Sequence, residues 1–258
     1  MKSGDFGLEK KSVLVIGGGV AGIQASLDLA DRGLQVYLVE EGPSIGGKMA
    51  QLDKTFPTMD CSICILAPKM VECYRHPNIK LLVYSELKRV TGSAGNFTTT
   101  ILRKPKYVDE AKCNACGECA KVCPVIAPNE FDVGLAIRHA IYTPFAQAVP
   151  STYTIDMNIC LNKDGIIVCD KCMKACERQA IKFEMKPETV ELEVGTIIVA
   201  TGADVFDPST LPNYGYGKYP NIITSLEFER LINAGGPSGG RLIRPSDMQI
   251  PKRVAFIQ

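Results

Sequence analysis

Cys113-Asn-Ala-Cys116-Gly-Glu-Cys119-Ala-Lys-Val-Cys123-Pro124 is the stretch from which the rest of this chain can be interpreted. Its spacing, C-x2-C-x2-C-x3-C-P, is typical of cysteines that ligate [4Fe–4S] clusters. Thiolates are soft ligands that suit iron–sulfur clusters. Three cysteines at this spacing can hold one cluster, whereas the fourth points away from it. The pattern therefore predicts one cluster and a second run of cysteines that completes it.

A second run of cysteines lies downstream. Its end, Cys169-Asp-Lys-Cys172-Met-Lys-Ala-Cys176, has the C-x2-C-x3-C spacing, but eight residues separate Cys160 from Cys169 and Glu177 stands where proline would be expected. In two-cluster ferredoxins the fourth cysteine of one run ligates the other cluster. We therefore predict two [4Fe–4S] clusters, one held by Cys113, Cys116, Cys119 and Cys176, the other by Cys123, Cys160, Cys169 and Cys172.

The alternative for these cysteines is a zinc site or a disulfide framework. Zinc-type C-x2-C pairs do not call for third and fourth cysteines at this spacing or for the following proline. The 258-residue chain has eleven cysteines, and the clusters use eight of them. That usage favours a reducing compartment, and we expect a cytoplasmic protein.

Composition excludes several classes of function. The chain has 29 Lys and Arg against 28 Asp and Glu, which argues against a nucleic-acid or anionic-membrane partner. No window of about 18 residues is uncharged and apolar, so the sequence predicts no membrane span.

A glycine-rich turn near the N-terminus predicts dinucleotide binding. The apolar run Ser12–Ile16 reads as a buried parallel strand, and it leads into Gly17-Gly-Gly19-Val-Ala-Gly22, after which apolar residues recur at helical spacing. In this motif Gly17 permits the tight turn and Gly19 lets the backbone approach a pyrophosphate. Gly22 lets helix and strand pack closely. The alternative is a glycine-rich turn in an α/β fold that binds no ligand.

Glu40 is the candidate ribose ligand. It ends a second predicted strand, Gln35–Val39, and lies 18 residues beyond Gly22, about where a ribose-binding carboxylate is found in this motif.

Two further features favour FAD over NAD. Gly46, Gly47 and Lys48 follow the second strand, and Thr201 and Gly202 follow a late apolar run. Together with the glycine turn, these residues resemble the FAD domain of thioredoxin-reductase-like and glutathione-reductase-like flavoproteins. The resemblance implies that the late Ala-Thr-Gly turn closes over the flavin side of the cofactor. Lys48 is either a residue that tunes the flavin potential or a solvated turn residue.

Cys61-Ser-Ile-Cys64 and Cys73 allow three interpretations. They could form a redox-active C-x-x-C disulfide beside the flavin, a partial metal site, or structural thiols. Because Cys61 comes fourteen residues after Gly47, and not directly after it, we favour structural thiols.

The predicted fold class is α/β, a Rossmann-like FAD-binding domain of thioredoxin-reductase type interrupted by an α+β two-cluster ferredoxin-like insert. We place the first part of the FAD domain at residues 1–103, the insert at 104–187 and the second part at 188–258. Within these, we expect a turn-rich loop at Thr91–Asn96 and an amphipathic helix over Gly134–Ile141, with His139 in a structural role.

The last part of the chain should return to the flavin fold. We expect a strand over Thr189–Val194 and a loop leading into a helix within Asn221–Ala234. Gly235–Gly240 follows a helical stretch and not a strand, so we interpret it as a loop and predict no NAD(P)H domain. Pro251–Gln258 looks like the start of a strand, and we expect the sequence to be truncated there.

The chain as a whole resembles the A-type iron–sulfur subunit of heterodisulfide reductase and its relatives, which include the A-type subunit of the quinone-interacting oxidoreductase of sulfate reducers. The most specific stretches are Cys61–Met70, Lys104–Asp109, Glu130–Leu135, Tyr142–Pro150 and Lys252–Gln258. Family members continue with Cys-Val-Gly-Ser-Arg, and some carry selenocysteine at that next position. A selenocysteine codon read as a stop after Gln258 would explain the abrupt end.

The resemblance implies an electron-transfer flavoprotein subunit that passes electrons between FAD and [4Fe–4S] clusters, in several members by flavin-based bifurcation. The implied partners are other subunits of the complex, a hydrogenase, formate dehydrogenase or NADH-linked donor, and ferredoxin. Two alternatives stay open at this point. One is a self-contained FAD-dependent disulfide reductase that uses Cys61 and Cys64. The other is a non-catalytic relay module that binds clusters and no flavin.

Overall fold

The computed structural model describes residues 12–163, 165 and 167–257. Its strands, in chain order, are β1 (Ser12–Ile16), β2 (Gln35–Val39), β3 (Lys54–Thr55), β4 (Asp60–Cys61), β5 (Ile79–Leu82), β6 (Ser85–Ser93), β7 (Asn96–Arg103), β8 (Ile126–Pro128), β9 (Ile137–His139), β10 (Ile141–Tyr142), β11 (Thr154–Ile155), β12 (Glu188–Val194) and β13 (Thr196–Val199). The α-helices are α1 (Val20–Ala30), α2 (Ser62–Arg75), α3 (Glu118–Lys121), α4 (Lys171–Ala175) and α5 (Ser225–Ile232). Short 3-10 helices cover Gly47–Gln51, Pro208–Thr210 and Pro212–Tyr214.

A four-stranded parallel sheet has the strand order β13-β1-β2-β5. It organises the part of the fold formed by residues 12–103 and 188–257, which we call the flavin-type half. Its central strands are runs of Val, Leu and Ile, which suit a sheet covered on its faces. Helices α1 and α2 contribute Ile23, Leu27, Leu66 and Met70 to the core cluster that also contains strand residues. The predicted first strand, its helix and the second strand are confirmed, and the late apolar run before Thr201 forms β13.

A three-stranded antiparallel sheet, in the order β12-β7-β6, lies next in the fold. The strand expected over Thr189–Val194 is confirmed as part of β12. The turn-rich loop expected at Thr91–Asn96 is wrong in extent, because β6 continues to Ser93 and β7 begins at Asn96. Only Ala94 and Gly95 remain for the hairpin turn, and Gly95 has the positive φ of +91° that such a turn needs.

The ends of β7 and β12 define an excursion of the chain. Arg103 is paired with Glu188 in the antiparallel register, and their side chains form an ion pair of 2.8 Å. The chain therefore leaves the sheet after Arg103 and returns beside the point of departure. We call residues 104–187 the cysteine insertion.

The cysteine insertion is made of short elements. The amphipathic helix predicted over Gly134–Ile141 is wrong, because this stretch contains β9 and begins β10. β9 pairs with β8, and the preceding Val133 and Gly134 both have positive φ, which forms a turn and not a helix. His139 lies on β9, with Nδ1 3.2 Å from the carbonyl oxygen of Val125.

The C-terminal region contains one α-helix, α5, in the predicted position. Thr224 and Glu227 form a capping box that satisfies backbone groups at its start. Gly235–Gly240 lies in turns, as expected, but the strand expected from Pro251 is not formed in residues 251–257. Gln258, and residues 1–11 of the predicted first domain part, lie outside the described residues. Among the residues that are described, no helix is both long and apolar enough to cross a membrane.

Candidate cofactor sites

At Gly17 and Gly22, in the glycine turn after β1, any side chain would collide with backbone atoms. Gly17 has φ +106°, and a Cβ there would come within 2.3 Å of the Ala200 carbonyl oxygen. A Cβ on Gly22 would come within 1.8 Å of the Gly17 carbonyl oxygen. The turn, the start of α1 and the segment after β13 therefore pack at backbone distance.

Gly19 differs from these two glycines because it faces open space. A Cβ built on it would meet nothing within 4 Å among the described residues. Gly19 is also the N-cap of α1, and no side chain caps that end of the helix. The first amide groups of a helix bind anions well, so a pyrophosphate fits this end of α1.

The Glu40 carboxylate braces the same turn. Its Oε2 accepts a 2.7 Å hydrogen bond from the Gly18 amide, and its Oε1 accepts one of 2.7 Å from the Gly42 amide. A carboxylate has about four lone-pair positions, so Glu40 can still accept a bond from a ribose hydroxyl. The sequence motif did not indicate this bracing role.

The other residues predicted for FAD converge on this end of the sheet. The Gly46 amide donates to the Gly18 carbonyl over 2.7 Å, and a Cβ on Gly47 would lie 2.9 Å from the Gly19 Cα. Lys48 is exposed beside Gly47. Thr201 lies against Gly17, and Gly202 follows it with φ +78°. All nine residues predicted to contact FAD thus lie in three adjoining segments: the glycine turn with the start of α1, the stretch from Glu40 to Lys48, and the turn after β13.

The eight predicted cluster ligands line two cavities, four to each. One cavity is lined by Cys113, Cys116, Cys119 and Cys176, together with Tyr153 and Ile141. The other is lined by Cys123, Cys160, Cys169 and Cys172, together with Asn162 and Phe183. These are the two crossed sets expected from the spacing, and Ile141 lines both cavities.

The thiols suit clusters better than single metal ions. Among the described residues, no group of three or more Cys, His, Asp or Glu side chains converges closely enough to hold one ion. A [4Fe–4S] cluster takes one thiolate at each iron, so its ligands surround a larger body. Burial, with help from neighbouring thiols, raises the pKa of Cys119 to about 12 and of Cys172 to about 11. Because ligands bind as thiolates, loading would release protons.

Cys61 and Cys64 form a disulfide, which corrects the expectation of structural thiols. Cys61 is the N-cap of α2, and its Sγ accepts a 3.3 Å hydrogen bond from the Cys64 amide. Cys64 is exposed. Cys73 is free and fully buried on the same helix, and burial raises its pKa to about 12. Cys73 is therefore inert, in contrast to the disulfide pair, of which Cys64 is exposed.

The cysteine insertion touches the flavin-type half through two phenylalanines. Phe131 and Phe145 stack with ring centroids 4.6 Å apart, and both pack on the core that contains β1 and α1. A Cβ on Gly46 would lie 3.4 Å from Phe145, so the pair reaches the back of the Gly46–Gly47 turn. Gln51 Nε2 donates to the Phe131 carbonyl over 2.9 Å.

A buried ion pair fastens the same junction. Arg230 of α5 is 2 % exposed and Asp132 of the insertion is 8 % exposed. The guanidinium donates to Asp132 Oδ1 over 2.9 Å and to the Gln51 carbonyl over 3.0 Å. Sequence reasoning missed this pair, since the two residues lie 98 positions apart and the stretch Glu130–Leu135 gives no indication of a partner for Asp132.

Comparison with protein families agrees with the two kinds of site. Residues 12–107 match the family described as FAD dependent oxidoreductase, and residues 106–128 match a 4Fe-4S binding domain. The fold and these matches define a flavoprotein oxidoreductase that carries an iron–sulfur domain.

Curated relatives narrow this class to the A-type subunits of heterodisulfide reductase. The chain is 59 % identical over 96 % of its length to the A-type iron–sulfur subunit of CoB–CoM heterodisulfide reductase from Methanocaldococcus jannaschii, covering 37 % of that protein. It is 61 % identical to an A-type iron–sulfur subunit of the Methanopyrus kandleri enzyme, over 95 % of its length and 36 % of that protein's. It is 48 % identical to the A-type subunit of ferredoxin:CoB–CoM heterodisulfide reductase from Methanosarcina mazei, with coverages of 96 % and 31 %.

Over 95–96 % of its length the chain is homologous to A-type heterodisulfide reductase subunits. It spans about a third of the length of these relatives.

Proposed function

We propose that this chain is the part of an A-type heterodisulfide reductase subunit that passes electrons between FAD and two [4Fe–4S] clusters. The observation that carries the proposal is the sorting of eight cysteines into two cavities of four. The glycine turn with the open N-terminus of α1 supports FAD beside them. A relay module that binds no flavin is disfavoured, because the nine flavin-site residues already lie together.

Each group of residues has a separate task in this proposal. The amides at the start of α1 bind the pyrophosphate, and Glu40 binds the ribose while it braces the turn. Gly46–Lys48 and Thr201–Gly202 flank the remainder of the cofactor. FAD, when bound, accepts two electrons together and releases them singly, and clusters carry one each. Phe131, Phe145 and Arg230 keep the two kinds of site at a fixed separation.

The proposed domain division follows the predicted one. Residues 1–103 and 188–258 form the FAD-binding domain, and residues 104–187 form the cluster domain. The paired ends Arg103 and Glu188 support these boundaries. Phe131 and Phe145 belong to the cluster domain in this division but pack in the flavin-side core, where they act as its anchor.

The partners and location are proposed from the relatives. The names of several relatives include ferredoxin, hydrogen or formate beside the heterodisulfide. We propose that the chain works in the cytoplasm within a heterodisulfide reductase-like complex, between a hydrogenase, formate dehydrogenase or NADH-linked donor and acceptors that include ferredoxin. Flavin-based bifurcation is the proposed mode of transfer.

A spectroscopic titration tests the proposal. Anaerobic protein would be reduced stepwise while flavin absorbance and the EPR signals of reduced clusters are followed. We expect one flavin transition and two distinguishable cluster signals. A single cluster signal, or flavin that is reduced without exchanging electrons with any cluster, would contradict the proposal.

Four cysteine variants test the crossed ligand sets. Cys176→Ser should weaken the same EPR signal as Cys116→Ser, and Cys123→Ser the same signal as Cys169→Ser. If Cys123→Ser instead matches Cys116→Ser, each run holds its own cluster and the assignment is wrong. Cys73→Ala is the matched control, because this buried cysteine lies outside both cavities.

A second candidate function rests on the Cys61–Cys64 disulfide. A C-x-x-C pair at a helix N-terminus, with Cys64 exposed, can exchange with an external disulfide. As a dithiol, Cys61 and Cys64 would give two electrons and two protons to that disulfide, which becomes two thiols while the Cys61–Cys64 bond forms again. The flavin, when bound, would supply the two electrons that reopen the Cys61–Cys64 bond, with two protons from solvent. Counting thiols after reduction of the flavin separates the candidates. Two new thiols per chain, absent in Cys64→Ser, would favour a disulfide reductase.

A further inference from the structure

The interval between Cys160 and Cys169 is unusual for two cysteines that line the same cavity. Eight residues separate them, whereas two residues separate Cys113 from Cys116. A two-residue interval limits the distance between two thiols by covalent geometry alone. A longer interval allows many separations, and closing it costs conformational entropy. A contact within the fold that closes the interval would lower this cost before a cluster binds.

Asn162 provides that contact. Its side-chain Nδ2 donates a 2.7 Å hydrogen bond to the Cys169 carbonyl, and its Oδ1 accepts a 2.8 Å hydrogen bond from the Cys169 amide. A side-chain amide that satisfies both backbone groups of one residue acts as a neighbouring strand would. Through Asn162, Cys160 and Cys169 are connected across two residues instead of eight.

Among the other described residues of the interval, none makes a comparable contact with Cys169. Leu161 lines the cavity but is 36 % exposed, and Lys163, Gly165, Ile167 and Val168 are exposed, Val168 by 89 %. The Lys163 amide donates to the Cys160 carbonyl over 3.1 Å and the Gly165 amide to the Asn162 carbonyl over 3.2 Å, which reverses the chain away from the cavity. Asn162 itself is half-buried and lines the cavity with Cys123, Cys160, Cys169 and Cys172.

We propose that Asn162 is a positioning residue for the second cluster site, and that its side-chain amide replaces the two-residue spacing that the first site has by sequence. The inference rests on the proposed function, since it assumes a cluster between these four cysteines. The amide touches no reacting atom. It fixes the Cys169 backbone relative to Cys160, so its loss should affect the second site and leave the first intact.

Asn162→Ala tests the proposal by cluster content, independently of activity. In anaerobically purified protein, iron should fall twofold, from about eight to about four per chain, with the EPR signal of the second cluster lost. Asn158→Ala is the matched control, because Asn158 also lies two residues from Cys160 but is exposed. The control should keep about eight irons. An Asn162→Ala protein with both clusters would overturn the proposal.

A loop deletion shows whether Asn162 acts through the interval. Removing residues 163–168 leaves Cys160-Leu-Asn-Cys169, which is a C-x2-C spacing. In this shortened chain, Asn162→Ala should have no effect, and both forms should hold about eight irons. If Asn162→Ala loses iron equally in the shortened and full chains, Asn162 has another role and the proposal is wrong. A shortened chain that lacks the second cluster would overturn it as well.

These outcomes are separable from failure of the proposed function. If the unmodified chain holds about four irons or fewer, the two-cluster proposal fails before any variant is made. If the unmodified chain holds about eight and the Asn162→Ala chain also holds about eight, only the positioning role fails.

Discussion

The parallel sheet and the cysteine insertion are held together in different ways. The core under the sheet is aliphatic, and Val15, Val36 and Leu38 are fully buried in it. The core of the insertion is smaller, and two of its seven buried residues are the predicted ligands Cys119 and Cys172. Four further predicted ligands pack against this core, namely Cys113, Cys123, Cys160 and Cys176. The sheet is stabilised by burial of apolar area, whereas the insertion uses its own ligands as core.

Because of this difference, we expect folding of the parallel sheet to depend less on its cofactor than folding of the insertion does. Burial of apolar side chains stabilises by roughly 25 cal/mol per Å² without any ligand. A site whose core is its ligand set gains much of its folding free energy from metal binding. We therefore expect the sheet to form without FAD and the insertion to require iron.

Removal of iron gives the largest predicted effect. In iron-free protein, amide exchange at Ile141 and Ile155 of the insertion should accelerate on the order of 10³-fold. Exchange at Leu14 and Leu38 of the sheet should change little. Hydrogen exchange with and without iron measures both regions in one sample. Equal protection of the insertion in both samples would remove the contrast between the two halves.

Arg230→Ala should give the next largest effect, because it leaves Asp132 buried without its ion-pair partner. Loss of one partner of a buried pair costs about 3–5 kcal/mol of unfolding free energy. Arg244→Ala is the matched control, since Arg244 forms an exposed ion pair with Asp247, and its loss should cost under about 1 kcal/mol. Urea unfolding of both variants checks the difference. Equal effects would mean that Arg230 does not fasten the insertion to the sheet.

Gly22→Ala should lower the flavin content of the chain without lowering its iron content. The added Cβ would collide with the Gly17 carbonyl, so the turn must open. We expect bound flavin to fall by more than about tenfold, which corresponds to about 1.4 kcal/mol, while iron stays unchanged. Gly235→Ala is the control, because Gly235 lies in a C-terminal turn without a positive φ. Parallel loss of flavin and iron would show that the halves do not bind independently.

The smallest predicted effect is the contribution of Cys73 to the pH dependence of the unfolding free energy. Its pKa is raised by burial from 9.0 to about 12, so the protonated thiol of the folded chain is favoured. The stabilisation is complete below the unfolded pKa and is lost as pH rises from about 9 toward 12. Between pH 8 and pH 10 the free energy of unfolding of the unmodified chain should fall by about 1 kcal/mol more than that of the Cys73→Ala variant. Urea unfolding at the two pH values measures this, and equal losses would contradict the burial of Cys73.

Local patterns explain what could be predicted from the sequence. The strand–Gly17–helix unit and both cysteine runs combine spacing with backbone rules that act within about twenty residues. The glycines at 17 and 22 are required by contacts that the motif already implies. The strand and the helix of the first unit are confirmed, and the assignment of the cysteine runs as cluster ligands stays a prediction.

Long-range contacts explain what could not be predicted. The Gly134–Ile141 stretch has apolar residues at spacings that fit a helix, but pairing of β9 with β8 and the burial of Arg138 against Glu130 and Asp156 make it a strand. Tertiary contacts override local preference in such short segments. The Arg230–Asp132 pair, which joins residues 98 positions apart, likewise has no local signal.

The most direct test of the central claim is the cofactor content of the anaerobically purified chain. Iron, acid-labile sulfide and flavin would be quantified together per chain. We expect about eight irons, about eight sulfides and about one FAD. About four irons, or about eight irons without flavin on a folded sheet, would contradict a chain that joins FAD to two clusters.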